Sequence, residues 1–136
     1  MQMNPYLSFN GKCEAAFKFY QKTLGGDLVA MMKYGEGPMA AQSAPEFHDR
    51  IMHARLKVGD VLLMGSDAPP QMYEPMKGFN VALNPTEPAE ADRIFSALAE
   101  NGTVTMPIQE TFWAQRFGML IDQFGTPWMV NCERPA

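Results

Sequence analysis

The same order of predicted elements occurs twice along this chain of 136 residues. Each half is predicted to form a strand, a helix and three further strands, from the spacing of apolar residues and the positions of Gly and Pro. In the first half the elements are a strand at 4–10, a helix at 12–24 and strands at 27–34, 51–58 and 61–66. In the second half they are a strand at 79–84, a helix ending near Glu100 and strands at about 103–110, 115–122 and 127–132. This pattern predicts an α+β fold built from two βαβββ modules.

Both helices are predicted to have defined ends. A Gly-Gly pair at 25–26 follows the first helix, as a left-handed C-terminal cap would. In the second half, Thr86 is the predicted N-cap and Pro88 lies near the first helical turn. An Asn-Gly pair at 101–102 closes that helix.

The two halves align with each other once the different lengths of their loops are allowed for. The matched pairs and their offsets are Gly26 with Gly102 (76), Pro5 with Asn80 (75) and Met64 with Met129 (65). The smaller last offset comes from a long loop at 35–49 in the first half, a length typical of lids and binding loops. We expect a single domain over 1–136, with modules at about 1–66 and 78–136 joined by a Pro-rich linker.

Charge and composition argue against several classes of protein. Lys and Arg number 11 and Asp and Glu 15, for a net charge of −4, whereas proteins that bind nucleic acid usually carry a basic face. The apolar runs are far shorter than the roughly 20 residues of a membrane span, and the first residues resemble no signal peptide. Cys13 and Cys132 have no C-x-x-C partner. We therefore expect a cytoplasmic protein with reduced thiols, and neither nucleic acid nor membrane as a partner.

Several short stretches together resemble a known family. They are Phe9-Asn10-Gly11, Ala16-Phe17, Phe19-Tyr20, Leu24-Gly25-Gly26, Met52-His53-Ala54, Gly59-Asp60, Leu63-Met64, Ser66-Asp67, Phe117-Gly118, Asp122, Phe124-Gly125 and Trp128. With these residues at this spacing, the chain resembles the PhnB-like branch of the glyoxalase/bleomycin-resistance/extradiol-dioxygenase superfamily, also called the vicinal oxygen chelate superfamily. The resemblance covers essentially the whole chain. It implies two βαβββ modules whose mixed sheets curl around a cavity, and a homodimer.

The resemblance also implies where a metal would bind. Enzymes of this superfamily commonly hold one divalent ion with His, Glu or Gln side chains from the first and last strands of each module. The corresponding positions here are Pro5, Leu63 or Met64, Asn80, and Met129 with Asn131 two residues on. None of them offers an imidazole or a carboxylate, which divalent ions such as zinc, nickel and manganese prefer. We therefore expect no metal cofactor.

The same branch often carries a ubiquinone-methyltransferase label. A methyl donor of that size normally needs a Gly-rich loop after a strand in a Rossmann-like unit. The chain has no such loop, and the Gly residues at 35–37 precede no predicted helix. The sequence therefore does not support methyl transfer.

Strand alternation selects candidate pocket residues, because successive side chains point to opposite faces. In 51–58 it leaves His53 and Arg55 away from the predicted packing face. In 116–122, Arg116 is expected on the open face because the side chains predicted to pack inward are Phe117, Met119 and Ile121. The predicted ligand pocket consists of His53, Arg55, Asn80, Trp113, Arg116 and Asn131.

Two guanidinium groups and an imidazole suit a small anionic or carbonyl-bearing molecule. One hypothesis is a metal-free binder, in the manner of bleomycin-resistance proteins. The other is an enzyme of isomerase or lyase type, with His53 as base and Arg55 or Arg116 holding an anion; a metal-dependent enzyme would need ligands elsewhere. A purely structural protein without a ligand-sized cavity is a third interpretation.

The pocket residues also have structural interpretations. His53 could be a satisfied structural group, and Arg55 could belong to a solvated sheet edge. Arg116 could pair with Glu110 or Asp122 across a hairpin.

Outside the pocket, Cys13 opens the first helix, where the helix dipole would lower the pKa of its thiol. A nucleophilic role is disfavoured because no His lies close to it in sequence. Asp67 and Asp122 near strand ends are expected to be turn residues.

Overall fold

The computed structural model describes residues 1–38 and 40–135. The chain divides into two compact units, Met1–Pro75 and Met76–Ala136. Each unit contains one α-helix and one four-stranded mixed sheet, so the predicted strand-helix-three-strand order is confirmed in both halves. In the described part of the chain, none of the helices has the length and apolar character required to cross a membrane.

The first unit carries a sheet in which the first strand pairs with the last. Its elements are β1 (Tyr6–Phe9), α1 (Cys13–Leu24), β2 (Asp27–Lys33), β3 (Ile51–Val58) and β4 (Val61–Asp67). The strand order is β1-β4-β3-β2, with β1 parallel to β4 and the other neighbours antiparallel. Short 3-10 helices lie outside the sheet, at Tyr34–Glu36, Ala40–Gln42, Pro45–Phe47 and Pro70–Met72.

The second unit repeats this topology. Its elements are β5 (Val81–Leu83), α2 (Pro88–Ala99), β6 (Thr103–Gln109), β7 (Ala114–Ile121) and β8 (Pro127–Glu133). The strand order is β5-β8-β7-β6, and β5 is parallel to β8. Parallel pairing of the first and last strands requires the long connection that the helix and two strands provide.

In the first unit, α1 covers one face of the sheet. Phe17 lies so close to β4 that a Cβ at Gly65 would be 2.8 Å from its Cε1 atom. Leu7 and Ala54, which pair with Gly65 on the adjacent strands, are fully buried. The opposite side is called here the helix-free face of the first sheet.

In the second unit, α2 makes the equivalent contact. A Cβ at Gly118 would lie 2.6 Å from Cε2 of Phe95. Leu120 and Trp128, which pair across β7 and β8, are buried on the same side. The other side is the helix-free face of the second sheet.

The structure corrects one local prediction. The N-cap of α2 is Glu87, which makes no side-chain capping bond, and Pro88 is the first helical residue; Thr86 is therefore not the cap. The loop predicted at 35–49 lies between β2 and β3 and contains short 3-10 helices.

The strand pairing also corrects the alignment of the two halves. Leu7 pairs with Gly65 and Leu83 with Val130, while Met64 and Met129 remain equivalent. The counterpart of Pro5 is therefore the residue after Asn80, and the alignment of the first strands was wrong by one position. A three-residue strand such as β5 offers little pattern from which to set a register.

Candidate functional site

A group of polar side chains lies on the helix-free face of the first sheet. Tyr6 of β1 and Arg55 of β3 both pair with Met64 of β4, so the three form one row across the sheet. This row alternates with the buried row of Gly65, which faces the helix. His53 lies two residues from Arg55 on the same strand and therefore on the same face.

The imidazole of His53 is held against the ring of Tyr6. Tyr6 Oη and His53 Nδ1 are 3.3 Å apart, within hydrogen-bonding distance. The two rings are stacked, with centroids 5.9 Å apart. Among residues 1–38 and 40–135, no carboxylate forms an ion pair with His53 or Arg55. The face therefore offers a positioned imidazole, a phenol and an unneutralised guanidinium.

Arg116 is not on the equivalent face of the second sheet. It lies on the same face of β7 as Gly118 and Leu120, which pack under α2, and its Nε donates to Oδ1 of Asp92 on α2 at 2.7 Å. The face assignment of β7 made from the sequence was wrong. Of the two carboxylates suggested as its partner, Glu110 forms an ion pair with Arg134, and Oδ2 of Asp122 accepts the Nε1–H of Trp128.

The helix-free face of the second sheet is mainly apolar. Phe117 pairs with Asn131 of β8, and Trp113 packs edge-on against Phe117 with ring centroids 5.2 Å apart. Asn131 Nδ2 donates to Oδ1 of Asn84 at 3.4 Å, while its own Oδ1 is buried without a partner among the described residues. A buried amide oxygen of this kind can accept a hydrogen bond from a ligand.

The structure thus distributes the predicted pocket residues over both units. His53 and Arg55 share one face of the first sheet. In the second unit, the ring of Trp113 contacts Phe117, and Asn131 pairs with Phe117 across β7 and β8. Asn80 is exposed just before β5. That these two sets meet in one cavity stays a prediction.

The side chains at the expected metal positions do not suit a divalent ion. Pro5 has no side-chain donor, and its carbonyl accepts the N–H of Met64 at 3.1 Å. Met64 and Met129 carry thioethers, which favour soft ions such as copper(I). Within the described residues, no group of three or more His, Cys, Asp or Glu side chains could hold a metal. The donor set therefore does not fit the hard divalent metal that the superfamily implies.

Cys13 is not an activated thiol. It is fully buried, and desolvation, followed by the charges of Asp67 and Glu14, raises its pKa strongly. The lowering expected from its place at the start of α1 was wrong, because burial outweighs the helix dipole.

Asp67, predicted from the sequence to be a turn residue, connects three segments of the first unit through its carboxylate. Its Oδ1 accepts the backbone N–H groups of Gly11 and Cys13 at 2.7 and 3.1 Å, and its Oδ2 accepts that of Ile51 at 2.9 Å. These partners are distant in sequence, so Asp67 is more than a turn residue. Asp122 does serve its own turn, since Oδ1 accepts the N–H groups of Phe124 and Thr126.

Comparison with known proteins supports the fold seen here. The chain is 41% identical to Protein YjdN of Escherichia coli (strain K12) over 139 residues, covering 96% of this chain and 95% of that protein. Among solved structures, protein PA1353 from Pseudomonas aeruginosa is 50% identical with a TM-score of 0.92, covering 99% of both chains. A PhnB protein from Bacillus cereus, described as a putative 3-demethylubiquinone-9 3-methyltransferase, is 22% identical with a TM-score of 0.82, covering 97% of this chain and 99% of that one.

A more distant structure identifies the fold class. The fosfomycin resistance protein FosX from Listeria monocytogenes is 9% identical with a TM-score of 0.67, covering 98% of this chain and 93% of that one. The predicted fold class, an α+β glyoxalase/bleomycin-resistance fold with two mixed sheets, is thereby confirmed. At the level of sequence, the chain matches the model of one family over residues 1–131, and it belongs to that family, 3-demethylubiquinone-9 3-methyltransferase.

Proposed function

We propose that this protein binds a small anionic or carbonyl-bearing molecule at the helix-free face of the first sheet, without a metal ion. The observation that carries the proposal is the contact between Tyr6 Oη and His53 Nδ1 at 3.3 Å, beside the unneutralised Arg55. The guanidinium of Arg55 supplies the charge for an anion. The imidazole and phenol supply directional hydrogen bonds to a carbonyl or anionic oxygen.

A second candidate is an enzyme of isomerase or lyase type on the same face. It is favoured by the orientation of His53: in the tautomer whose Nδ1–H donates to Tyr6 Oη, Nε2 is left to take a proton from a substrate. Among the described residues, His53 has no hydrogen bond to a carboxylate that would orient its imidazole and increase its basicity. Binding is therefore the primary proposal.

The proposal does not include the methyl transfer named in the family description. In Rossmann-like cofactor sites, a glycine-rich loop between a strand and the following helix brings its backbone N–H groups against the cofactor. Here the N–H groups of Gly11 and Cys13, between β1 and α1, are already bound to the carboxylate of Asp67. These two N–H groups are therefore not free to bind a cofactor.

The binding proposal can be tested by NMR spectroscopy of the imidazole groups, because the chain has only two histidines. Pyruvate, inorganic phosphate and methylphosphonate are the probes. At least one of them should shift the resonances of His53 saturably and leave those of His48 unchanged. Arg55→Met should weaken that binding about tenfold, the effect of losing a charged hydrogen bond. Lys57→Met, which removes an exposed cation two residues along β3, is the matched control.

The absence of a resident metal is tested separately by thermal denaturation with nickel, zinc, manganese and ferrous ions. An ion at one hundred times its Kd would add about 2.7 kcal/mol to the free energy of unfolding. We expect no such increase. A saturable rise in Tm with one ion would overturn metal-free binding and would direct assays to a metalloenzyme.

We also expect a homodimer in solution, as the resemblance to the superfamily implies. Sedimentation equilibrium measures the mass directly against the 15.2 kDa of one chain. A mass of one chain at micromolar concentration would contradict this expectation.

A further inference from the structure

A concavity, called here the Arg50 pocket, lies in the first unit between the connection from β2 to β3 and the segment that follows β4. Its volume is about 340 Å³, enough for a ligand of one ring. Its walls include the aromatic rings of Tyr34 and Phe47, together with Pro69 and Pro70. Arg50 also lines it, whereas Tyr6, His53 and Arg55 do not.

The guanidinium of Arg50 is held in place without being neutralised. Its Nη1 donates to Oδ1 of Asn10 at 2.9 Å, and its Cζ lies 5.0 Å from the centroid of the Phe47 ring. A Cβ at Gly11 would be 3.3 Å from the same Cζ, so the backbone closes the third side. No carboxylate in the described ranges forms an ion pair with Arg50. In a chain of net charge −4, this is a fixed cation beside a mainly apolar pocket.

The loop that forms the wall is also fixed. His48 Nε2 lies 3.1 Å from the carbonyl of Ala40 and 3.2 Å from that of Ser43. Tyr34 donates its hydroxyl to the carbonyl of Asp67 at 2.7 Å, and its backbone N–H bonds to the carbonyl of Arg50. A pocket that exists before the ligand arrives binds with a smaller entropy cost.

We propose that this pocket is a second binding site, which takes a small carboxylate with a flat apolar body. The carboxylate bonds to the guanidinium of Arg50, which presents paired donors in a fixed plane. The apolar body packs against Tyr34, Phe47 and the two prolines. The site is distinct from the helix-free face of the first sheet, and neither proposal depends on the other.

Benzoate is the probe, with benzamide as its uncharged analogue and benzamidine as its cationic one. NMR titration should show saturable, millimolar or tighter binding of benzoate only. The resonances of His48 should shift, because its imidazole bonds to the pocket residue Ser43, while those of His53 stay unchanged. This pattern separates the site from the one proposed on the sheet, where His53 is the reporter.

Two substitutions test the role of the guanidinium. Arg50→Met should weaken benzoate binding at least about tenfold, and Arg50→Lys should weaken it less because the charge remains. Arg93→Met, which removes an exposed arginine of α2, is the control and should change nothing. If Arg50→Met fails to fold, Arg50→Lys and the comparison of benzoate with benzamide still decide the question. Equal binding of benzamide, unchanged affinity after either Arg50 substitution, or shifts at His53 alone would overturn the proposal.

Discussion

The carboxylate of Asp67 accepts the backbone N–H of Ile51 at 2.9 Å, joining the end of β4 to the start of β3. The same carboxylate also bonds to the N–H groups of Gly11 and Cys13 ahead of and at the start of α1. Ile51 directly follows Arg50, which lines the Arg50 pocket, and lies two residues before His53 on the helix-free face of the first sheet. One buried side chain thus positions the backbone from which both candidate sites extend.

Asp67→Asn should lower the free energy of unfolding by about 3 kcal/mol. An amide has one accepting oxygen, so at least one buried N–H group would face the amide nitrogen instead of an acceptor. Urea denaturation followed by circular dichroism measures the loss. Asp60→Asn, in the exposed turn between β3 and β4, is the control. A loss below about 1 kcal/mol for Asp67→Asn would show that the network tolerates an amide.

Gly65→Ala should destabilise the protein by about 2 kcal/mol, since the added Cβ would meet the ring of Phe17 at 2.8 Å and the carbonyl of Leu7 at 2.9 Å. Part of that cost should disappear in a Phe17→Leu background, where the ring edge is absent. A double-mutant cycle of unfolding free energies measures this coupling. Strict additivity of the two substitutions would mean that the ring contact is not the source of the cost.

Cys13 should make the protein less stable at alkaline pH. Its pKa is raised in the folded state, so its stabilising contribution is complete below about pH 9, the ordinary range of a free thiol, and declines as the pH rises further. The gap in unfolding free energy between the wild type and Cys13→Ala should shrink by about 1 kcal/mol from pH 9 to pH 10. Denaturant titrations across this range measure the gap, and a constant gap would contradict the assignment.

Arg116→Met should leave the binding of anionic probes unchanged, because the guanidinium pairs with Asp92 of α2. Both side chains are partly exposed, so the loss of stability should be at most about 0.5 kcal/mol. Titration of pyruvate and inorganic phosphate against this variant and Arg55→Met provides the comparison. If the two substitutions weakened the binding of these probes equally, Arg116 would have to be part of the ligand site.

The face of a strand could be read from the sequence only where the two faces differ in polarity. In β3, Ala54 and Leu56 alternate with His53 and Arg55, and the assignment of the polar face agrees with the structure. In β7 both sets are largely apolar. Because Gly118 has no side chain, the ring of Phe95 of α2 can pack against its backbone. This contact determines which face of β7 is covered by α2. Alternation carries no information about which of two apolar sets a helix will cover.

The loop at 35–49 is a second place where the sequence predicted less than the structure shows. Its Gly and Pro content predicts a break in regular structure, and its length predicts a binding role. In the structure Arg50 lies over the ring of Phe47, and His48 between them in sequence bonds to two backbone carbonyls. Such contacts leave no periodic pattern in the sequence, so the pocket they build could not be predicted from it.

The sequence by itself determined the order of elements, the repeat of that order and the family, because these depend on local periodicity, turn residues and spacing. It also supplied His53 and Arg55 as residues of one face. Only the tertiary structure decided the partners of Asp67, the side of β7 that α2 covers and the pocket beside Arg50. Those features depend on contacts between segments distant in the chain, where close packing and hydrogen-bond satisfaction choose among arrangements that are locally equivalent.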